Sequence, residues 1–357
     1  MGGCLTWNVS NVGAVADPLA SAYGVSVAAI GLLTTALFLT HLAIQLPAGR
    51  GADRVGARSV ALVAIGAAVV GNGVLLLDDS FAPALVGRAI VGIGSGAGFV
   101  AGLDLVRAGG GGSVLQGVYG GATMAGGGLA IMIVPSLTEA TGWRAAYWSA
   151  AVLALAAALP TLLARDLPRI GHAGEWVIRD PGLLPLGVLQ AATFGLAVVA
   201  GNWVVPLLER QGTSAAAAGL AGGLILFIGI VTRPAGGVLA KGGQRRALVA
   251  ASLVGTASGA ALLALAGPFA LSVLGALVMG LSAGLPFAVI FAAAQRVRPD
   301  APAEAIALVN ACAILTILVG TPLAGLTFEL PSDGRLAFAA IAALSALAAV
   351  ALRRARL

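Results

Sequence analysis

Apolar runs follow one another along the whole chain, separated by short clusters of charged residues, glycine and proline. An α-helix rises 1.5 Å per residue, so about 20 apolar residues cross the hydrocarbon layer of a membrane. Twelve runs qualify: 2–19, 27–48, 59–77, 81–105, 113–137, 144–164, 183–205, 214–236, 247–267, 269–293, 303–325 and 335–352. The pattern predicts an all-α integral membrane protein of twelve transmembrane helices. Asn8, Asn11 and Asp17 dilute the first run, which is expected to line a polar cavity or to start upstream of Met1. The longest break, 165–182, is polar, carries Pro168, His172 and Pro181, and divides six runs from six. His172, a lone histidine on this linker, is expected to be solvated.

Lysine and arginine set the orientation, because short cytoplasmic loops accumulate them. With the N-terminus inside, the cytoplasmic connections hold Arg50, Arg54, Arg58, Arg107, Arg165, Arg169, Arg179, Lys241, Arg245, Arg246, Arg296 and Arg298, and the tail adds Arg353, Arg354 and Arg356. The outer connections hold only Arg144, Arg210 and Arg335, against six carboxylates from Asp78 to Asp333. A multi-pass protein of the cell (inner) membrane with both termini in the cytoplasm is expected.

Composition removes the soluble alternatives. Of the 357 residues 59% are hydrophobic and 10% charged, whereas a soluble domain carries about 25% charge. The 52 glycines suit close packing of membrane helices. The net charge of +6 sits on membrane-flanking loops and not on one soluble face, so no nucleic-acid partner is expected. Cys4 and Cys312 are isolated, and His41 and His172 have no ligands at metal spacing. The glycine runs Gly109–Gly112 and Gly126–Gly128 lack the GK[ST] of a phosphate loop. Neither metal, cofactor nor enzymatic activity is expected, and no removable signal peptide is evident.

The halves repeat. PLASAYGVSVAAIGLL at 18–33 shares eight positions with PLLERQGTSAAAAGLA at 206–221, an offset of 188. Pro47-Ala48-Gly49 maps onto Pro234-Ala235-Gly236 at 187, with Arg54 onto Lys241 and Arg58 onto Arg245; Gly92, Gly96 and Phe99 map onto Gly280, Gly284 and Phe287 at 188. Two parallel pseudo-symmetric six-helix bundles, 1–164 and 183–357, are expected around the 165–182 linker, an arrangement known among secondary transporters.

The densest cluster of charge and glycine between two runs is Gly49-Arg50-Gly51-Ala52-Asp53-Arg54-Val55-Gly56-Ala57-Arg58. Gly49 permits close approach of a neighbour, Gly56 a positive φ, and Asp53 a bond to backbone N–H groups at a helix N-terminus. This G-x-x-x-D-R-x-G-x-R pattern resembles the loop between helices 2 and 3 of the major facilitator superfamily of transporters. The resemblance implies a central substrate site, alternating access, and a conformational latch built from Gly49, Asp53, Arg54, Gly56 and Arg58. It also pairs Arg54 or Arg58 with Asp104 at the end of the fourth run.

Two arginines lie inside runs, Arg88 in the fourth and Arg233 in the eighth. An unpaired guanidinium in hydrocarbon costs roughly 3 kcal/mol or more, so each must face a partner or a cavity. Arg88 resembles the superfamily's fourth-helix arginine. Arg233, before Pro234-Ala235-Gly236-Gly237, resembles the substrate arginine of the nitrate/nitrite porter family. That family places a further arginine where this chain has Gln45 and an asparagine where it has Met124, which implies a related anion rather than nitrate itself. Gln45, Asn11, Asn202 and Asn310 are polar positions in helices that face the cavity in the superfamily. No acidic side chain lies at mid-membrane; Asp17 stands near the outer end of its run and Asp104 near the inner end. Two arginines without a resident carboxylate suggest that the substrate brings the negative charge, with a proton or an exchanged solute as coupling species. The expected protein is a monomeric carrier of a small inorganic or organic anion; the alternatives are an exporter of amphipathic drugs or metabolites with the same fold and, beyond these, a non-transporting membrane sensor.

Overall fold

The computed structural model describes residues 1–77, 79–164, 175–265 and 267–357, so His172 and most of the linker lie outside the described residues. Every described element is helical, as a bilayer demands of a chain whose backbone must satisfy its own hydrogen bonds. The helices are α1 (Gly2–Ser10), α2 (Ala16–Tyr23), α3 (Val27–Val55), α4 (Ala57–Leu77), α5 (Phe81–Ala108), α6 (Ser113–Thr141), α7 (Ala145–Leu163), α8 (Leu184–Gln190), α9 (Leu196–Arg210), α10 (Ala215–Phe227), α11 (Gly229–Leu239), α12 (Arg245–Ala264), α13 (Phe269–Gly284), α14 (Phe287–Val297), α15 (Pro302–Leu326), α16 (Arg335–Leu347) and α17 (Ala349–Arg354). A π-helical turn at Ala191–Gly195 joins α8 to α9. Several of these pieces run on from one another, and among the described residues eleven continuous helical stretches are long and apolar enough to cross a membrane.

The first predicted run differs. It is divided into α1, a 3-10 turn at Gly13–Val15, and α2. Pro18 explains the restart, because its ring clashes with the carbonyl four residues back and it has no N–H to donate. The second difference is the charged cluster, which the sequence pattern reads as a loop. Helix α3 continues through it to Val55, and a single residue, Gly56 at φ +95°, turns the chain into α4.

Sequence repeats reappear as equivalent turns and contacts. Gly24 (φ +63°) and Gly212 (φ +86°), 188 apart, end α2 and α9 in the left-handed region where glycine carries no Cβ penalty. Two residues on, Ser26 Oγ accepts from Ala29 N at 3.2 Å and Ser214 Oγ from Ala217 N at 3.5 Å, capping the helices that follow. Gly56 and Gly243, 187 apart, both take positive φ. A Cβ on Gly71 would stand 2.7 Å from Gly87 O, and one on the repeat-related Gly259 would stand 2.6 Å from Gly275 O. The same small-residue crossing therefore brings α4 to α5 and α12 to α13.

Contacts divide the chain into two compact units, one of Met1–Gly110, Ala122–Glu175 and Asp300–Ala307, the other of Gly111–Gly121, Trp176–Pro299 and Leu308–Leu357. In the first, Trp7, Leu33, Leu37, Val91 and Tyr147 belong to one buried apolar cluster. In the second, Phe287 and Phe291 are buried and meet edge to face at 4.8 Å.

Candidate functional site

Arg88 is completely buried in the first unit, and α5 points it at the break in the first membrane segment. Its Nη2 donates to Asn8 O at 2.8 Å, its Nη1 to Asn11 Oδ1 at 3.4 Å and its Nε to Leu33 O at 3.4 Å. The break is what frees carbonyls and side chains of α1 for this role. Asn11 is itself held, because its Nδ2 donates to Ala146 O at 2.7 Å. Asn8 Oδ1 accepts from Asn72 Nδ2 at 2.8 Å on α4. The guanidinium is thus hydrogen-bonded by neutral groups, and its positive charge is not neutralised by them. Arg88 and Asn11, both expected at the substrate site, are brought together.

Arg233 occupies a different setting, in the second unit. It is 2% exposed, and its guanidinium lies between the rings of Phe194 and Phe287, at 4.7 and 4.2 Å from their centroids. A cation between two aromatic faces is attracted by both quadrupoles, and the planar guanidinium suits that slot. Its Nη1 donates to Gly120 O at 2.9 Å on α6. A Cβ on Gly120 would stand 2.5 Å from the Phe287 ring, so glycine is what lets the carbonyl and the ring share the arginine. Asn310 is buried on α15, whereas Asn202 is exposed on α9 and donates to Thr321 Oγ1 at 3.2 Å.

The Gly49–Arg58 stretch does something the sequence only half specified. Asp53 sits at a helix N-terminus, as expected of it, but the helix is α15, 250 residues away. Its two carboxylate oxygens accept from Ala303 N at 3.0 Å and Glu304 N at 2.9 Å. Pro302 has no N–H, and Ala305 N already bonds to Ala301 O at 3.0 Å, so this one side chain completes the first turn of α15. Gly49 makes the approach feasible: a Cβ there would lie 2.7 Å from both Ala303 O and Glu304 Cα. Arg50 adds an ion pair, its Nη1 3.5 Å from Glu304 Oε2.

The expected pairing of Arg54 or Arg58 with Asp104 does not form. Asp104 accepts from Arg107 Nε at 2.5 Å, three residues along its own helix, and Arg58 Nη2 donates to Leu162 O at 2.5 Å. Because α3 stays helical to Val55, Arg54 is carried to an exposed position. A local i,i+3 partner needs no long side chain to be ordered across a gap, which is why Arg107 prevails.

Sequence reasoning missed two features. Phe194 and Phe287 flank Arg233, and nothing in their spacing announces it. Inside α3, His41 is buried with Nδ1 2.9 Å from Ser95 Oγ on α5, one turn before Gln45, which is named from the sequence as a cavity position and is fully buried. The i,i+4 spacing of His41 and Gln45 within an apolar run was the available signal. Asp17, the carboxylate near the outer end of the first run, is exposed at the start of α2.

Comparison with known proteins assigns this architecture. The family model of the Major Facilitator Superfamily matches residues 1–241 and again 183–356. No curated protein matches the sequence. Among solved structures, the human organic anion transporter MFSD10 (TETRAN) superposes with a TM-score of 0.79 at 17% identity, covering 98% of this chain and 97% of that one. The major facilitator transporter FucP in the outward conformation gives 0.77 at 14% identity over 100% and 97%. A single-residue variant of FucP, the E. coli fucose:proton symporter, gives 0.76 at 14% over 100% and 98%. With the model matched along nearly the whole length, and transporters sharing the fold end to end, this chain belongs to the Major Facilitator Superfamily and is a membrane transporter.

Proposed function

We propose that this chain is a secondary active transporter of a small inorganic or organic anion, working by alternating access with both termini in the cytoplasm. The observation that carries the reading is Arg88, a completely buried cation whose hydrogen-bond acceptors are all neutral. A fixed positive charge in an apolar interior attracts an anion strongly, because the local dielectric screens it little. Arg233 brings a second buried cation, and Gln45, Asn11, Asn202 and Asn310 offer amide donors. The similar fold of a human organic anion transporter agrees with this direction. The resemblance of Arg233 and its Gly-Gly pair to the nitrate/nitrite porters points the same way, while Gln45 and Met124 depart from that branch at substrate positions.

The Asp53 cap on α15, with Gly49, Arg50 and Glu304 around it, acts as the conformational latch, and Gly56 sets the turn that presents it. Arg54, Arg58 and Asp104 belong to the same basic end of the molecule without forming the cap. A monomer suffices for this scheme.

The test uses purified full-length protein. Thermal stability is recorded with nitrate, formate, acetate or succinate, since a ligand of the native state raises the melting temperature by mass action. Uptake of the stabilising anion is then measured in proteoliposomes. Arg88→Ala and Arg233→Ala are expected to abolish uptake, and undiminished flux in both refutes the proposal. Stabilisation by an amphipathic drug and by none of the anions would instead support an exporter.

A further inference from the structure

Two successive turns of α3 hold buried polar atoms that nothing among the described residues satisfies. His41 is 5% exposed, and its Nε2 has no hydrogen-bond partner. Gln45 is 0% exposed, and neither its Oε1 nor its Nε2 has one. Ser95 Oγ lies 3.1 Å from Gly92 O and 2.9 Å from His41 Nδ1. With the hydroxyl proton on Gly92 O, the Ser95 oxygen accepts from Nδ1–H and Nε2 carries the open lone pair. The seat is rigid. Thr40 Oγ1 donates to Ala89 O at 2.7 Å across the same crossing, and a Cβ on Gly96 would stand 2.5 Å from His41 O. One nitrogen of the imidazole is used for positioning and the other is offered.

Among the described residues the charged groups of the surrounding elements are bonded elsewhere or, like Asp17 and Arg54, exposed. On α5, Arg88 stands seven residues before Ser95 and is bonded to Asn8, Asn11 and Leu33, while Asp104 stands nine residues after it and is paired with Arg107. On α3 the nearest charges are Arg50 and Asp53, which hold Glu304 and the first turn of α15. On α2, Asp17 is exposed and the Tyr23 hydroxyl is 3.1 Å from that of Tyr147. The one charge on α4, Arg58, donates to Leu162 O. No ion pair to His41 exists among the described residues, so the counter-charge of an imidazolium has to arrive with a ligand.

We propose that His41 is the proton-binding residue that couples anion movement to protons. Its Nε2 lone pair takes a proton from water when an anion occupies the same interior, forming one N–H bond. The positive charge of the ring then offsets the negative charge of the anion, and both leave together when the proton returns to water. Coupling of this kind is reciprocal: each ligand strengthens the binding of the other by the same factor. The proposal rests on the anion reading above but assigns the coupling to a residue outside the arginine pair.

The chain contains two histidines, so His172→Gln protein labelled with ¹⁵N-histidine reports the His41 ring alone. It is studied in lipid nanodiscs between about pH 6.5 and 8, around the ordinary histidine range and above it. Nitrate, formate and acetate serve as probes, read both by ¹⁵N resonance and by anion affinity. The expected result is an unprotonated Nε2 without anion and a protonated one with it. Affinity should fall about tenfold per unit rise in pH, as one linked proton requires. Adding His41→Gln should make affinity independent of pH, and Ser95→Ala, a gentler change, should disturb the ring's tautomer while the fold persists. Binding of an anion with unchanged Nε2 and pH-independent affinity overturns the coupling alone. Failure of all three anions to bind overturns the anion reading and this proposal with it.

Discussion

Replacing Asp53 by alanine removes the carboxylate that satisfies the amides of the second and third residues of α15. Both amides are buried, since Ala303 and Glu304 are each 0% exposed, so water does not take over easily. Each bond to the carboxylate, at 2.9 and 3.0 Å, is charge-assisted. A hydrogen bond to a charged group contributes about 1.5–3 kcal/mol, and an N-cap substitution costs about 0.5–2 kcal/mol. The helix dipole adds up to ~1 kcal/mol at an exposed end and more in a buried one. Together, and without counting the shared part twice, the loss comes to about 2–4 kcal/mol. At about 1.4 kcal/mol per factor of ten, the opening equilibrium of the first turn of α15 shifts by roughly 30- to 700-fold.

Hydrogen–deuterium exchange followed by mass spectrometry reads this without any substrate, because amide exchange reports local opening. In Asp53→Ala, a peptide covering residues 300–310 should exchange about 30- to 700-fold faster, while one covering 335–347 in α16 should not change. Asp53→Asn keeps one acceptor and the shape, so about half the free energy survives and the acceleration should be roughly 5- to 30-fold. Added salt should leave the difference nearly intact, as a buried contact is little screened. If residues 300–310 exchange within about threefold of the wild type in Asp53→Ala, the cap does not hold α15 and the reasoning is wrong.

Other changes follow from the same packing. Gly49→Ala drives a methyl against Ala303 O and Glu304 Cα at 2.7 Å, backbone atoms that cannot rotate away, and should destabilise the protein by about 1–3 kcal/mol in thermal unfolding. Gly31→Ala on the same helix meets nothing within 4 Å and should be neutral or stabilising by up to ~1 kcal/mol. Gly56→Ala places a Cβ at φ +95° and should lower stability by about 1–2 kcal/mol in the same assay. Arg233→Lys retains charge but loses the planar fit between Phe194 and Phe287; anion uptake should fall, with about 0.5–2 kcal/mol of binding lost, and full activity would deny the aromatic slot a role.

The alternation of apolar runs with charged breaks determined, by itself, that the chain is helical and lives in a membrane, because length and hydrocarbon thickness leave little choice. The 188-residue repeat was legible too, and it returned as paired features: Gly24 with Gly212, Ser26 with Ser214, and the Gly71–Gly87 crossing with Gly259–Gly275. Local chemistry could be read wherever it depends on one residue's own backbone, as at Gly56. Partners could not. Asp53 was readable as a helix cap, but which helix it caps depends on 250 residues of intervening fold. The family resemblance pairs Arg54 or Arg58 with Asp104, and a nearer arginine on the same helix as Asp104 takes that carboxylate. The break in the first segment, the slot between Phe194 and Phe287, and the seat of His41 against Ser95 are also choices of tertiary structure. Hydrophobic burial acts on each run independently and is written in sequence; a hydrogen bond between helices needs two atoms within about 3 Å, and only the packed molecule specifies that distance.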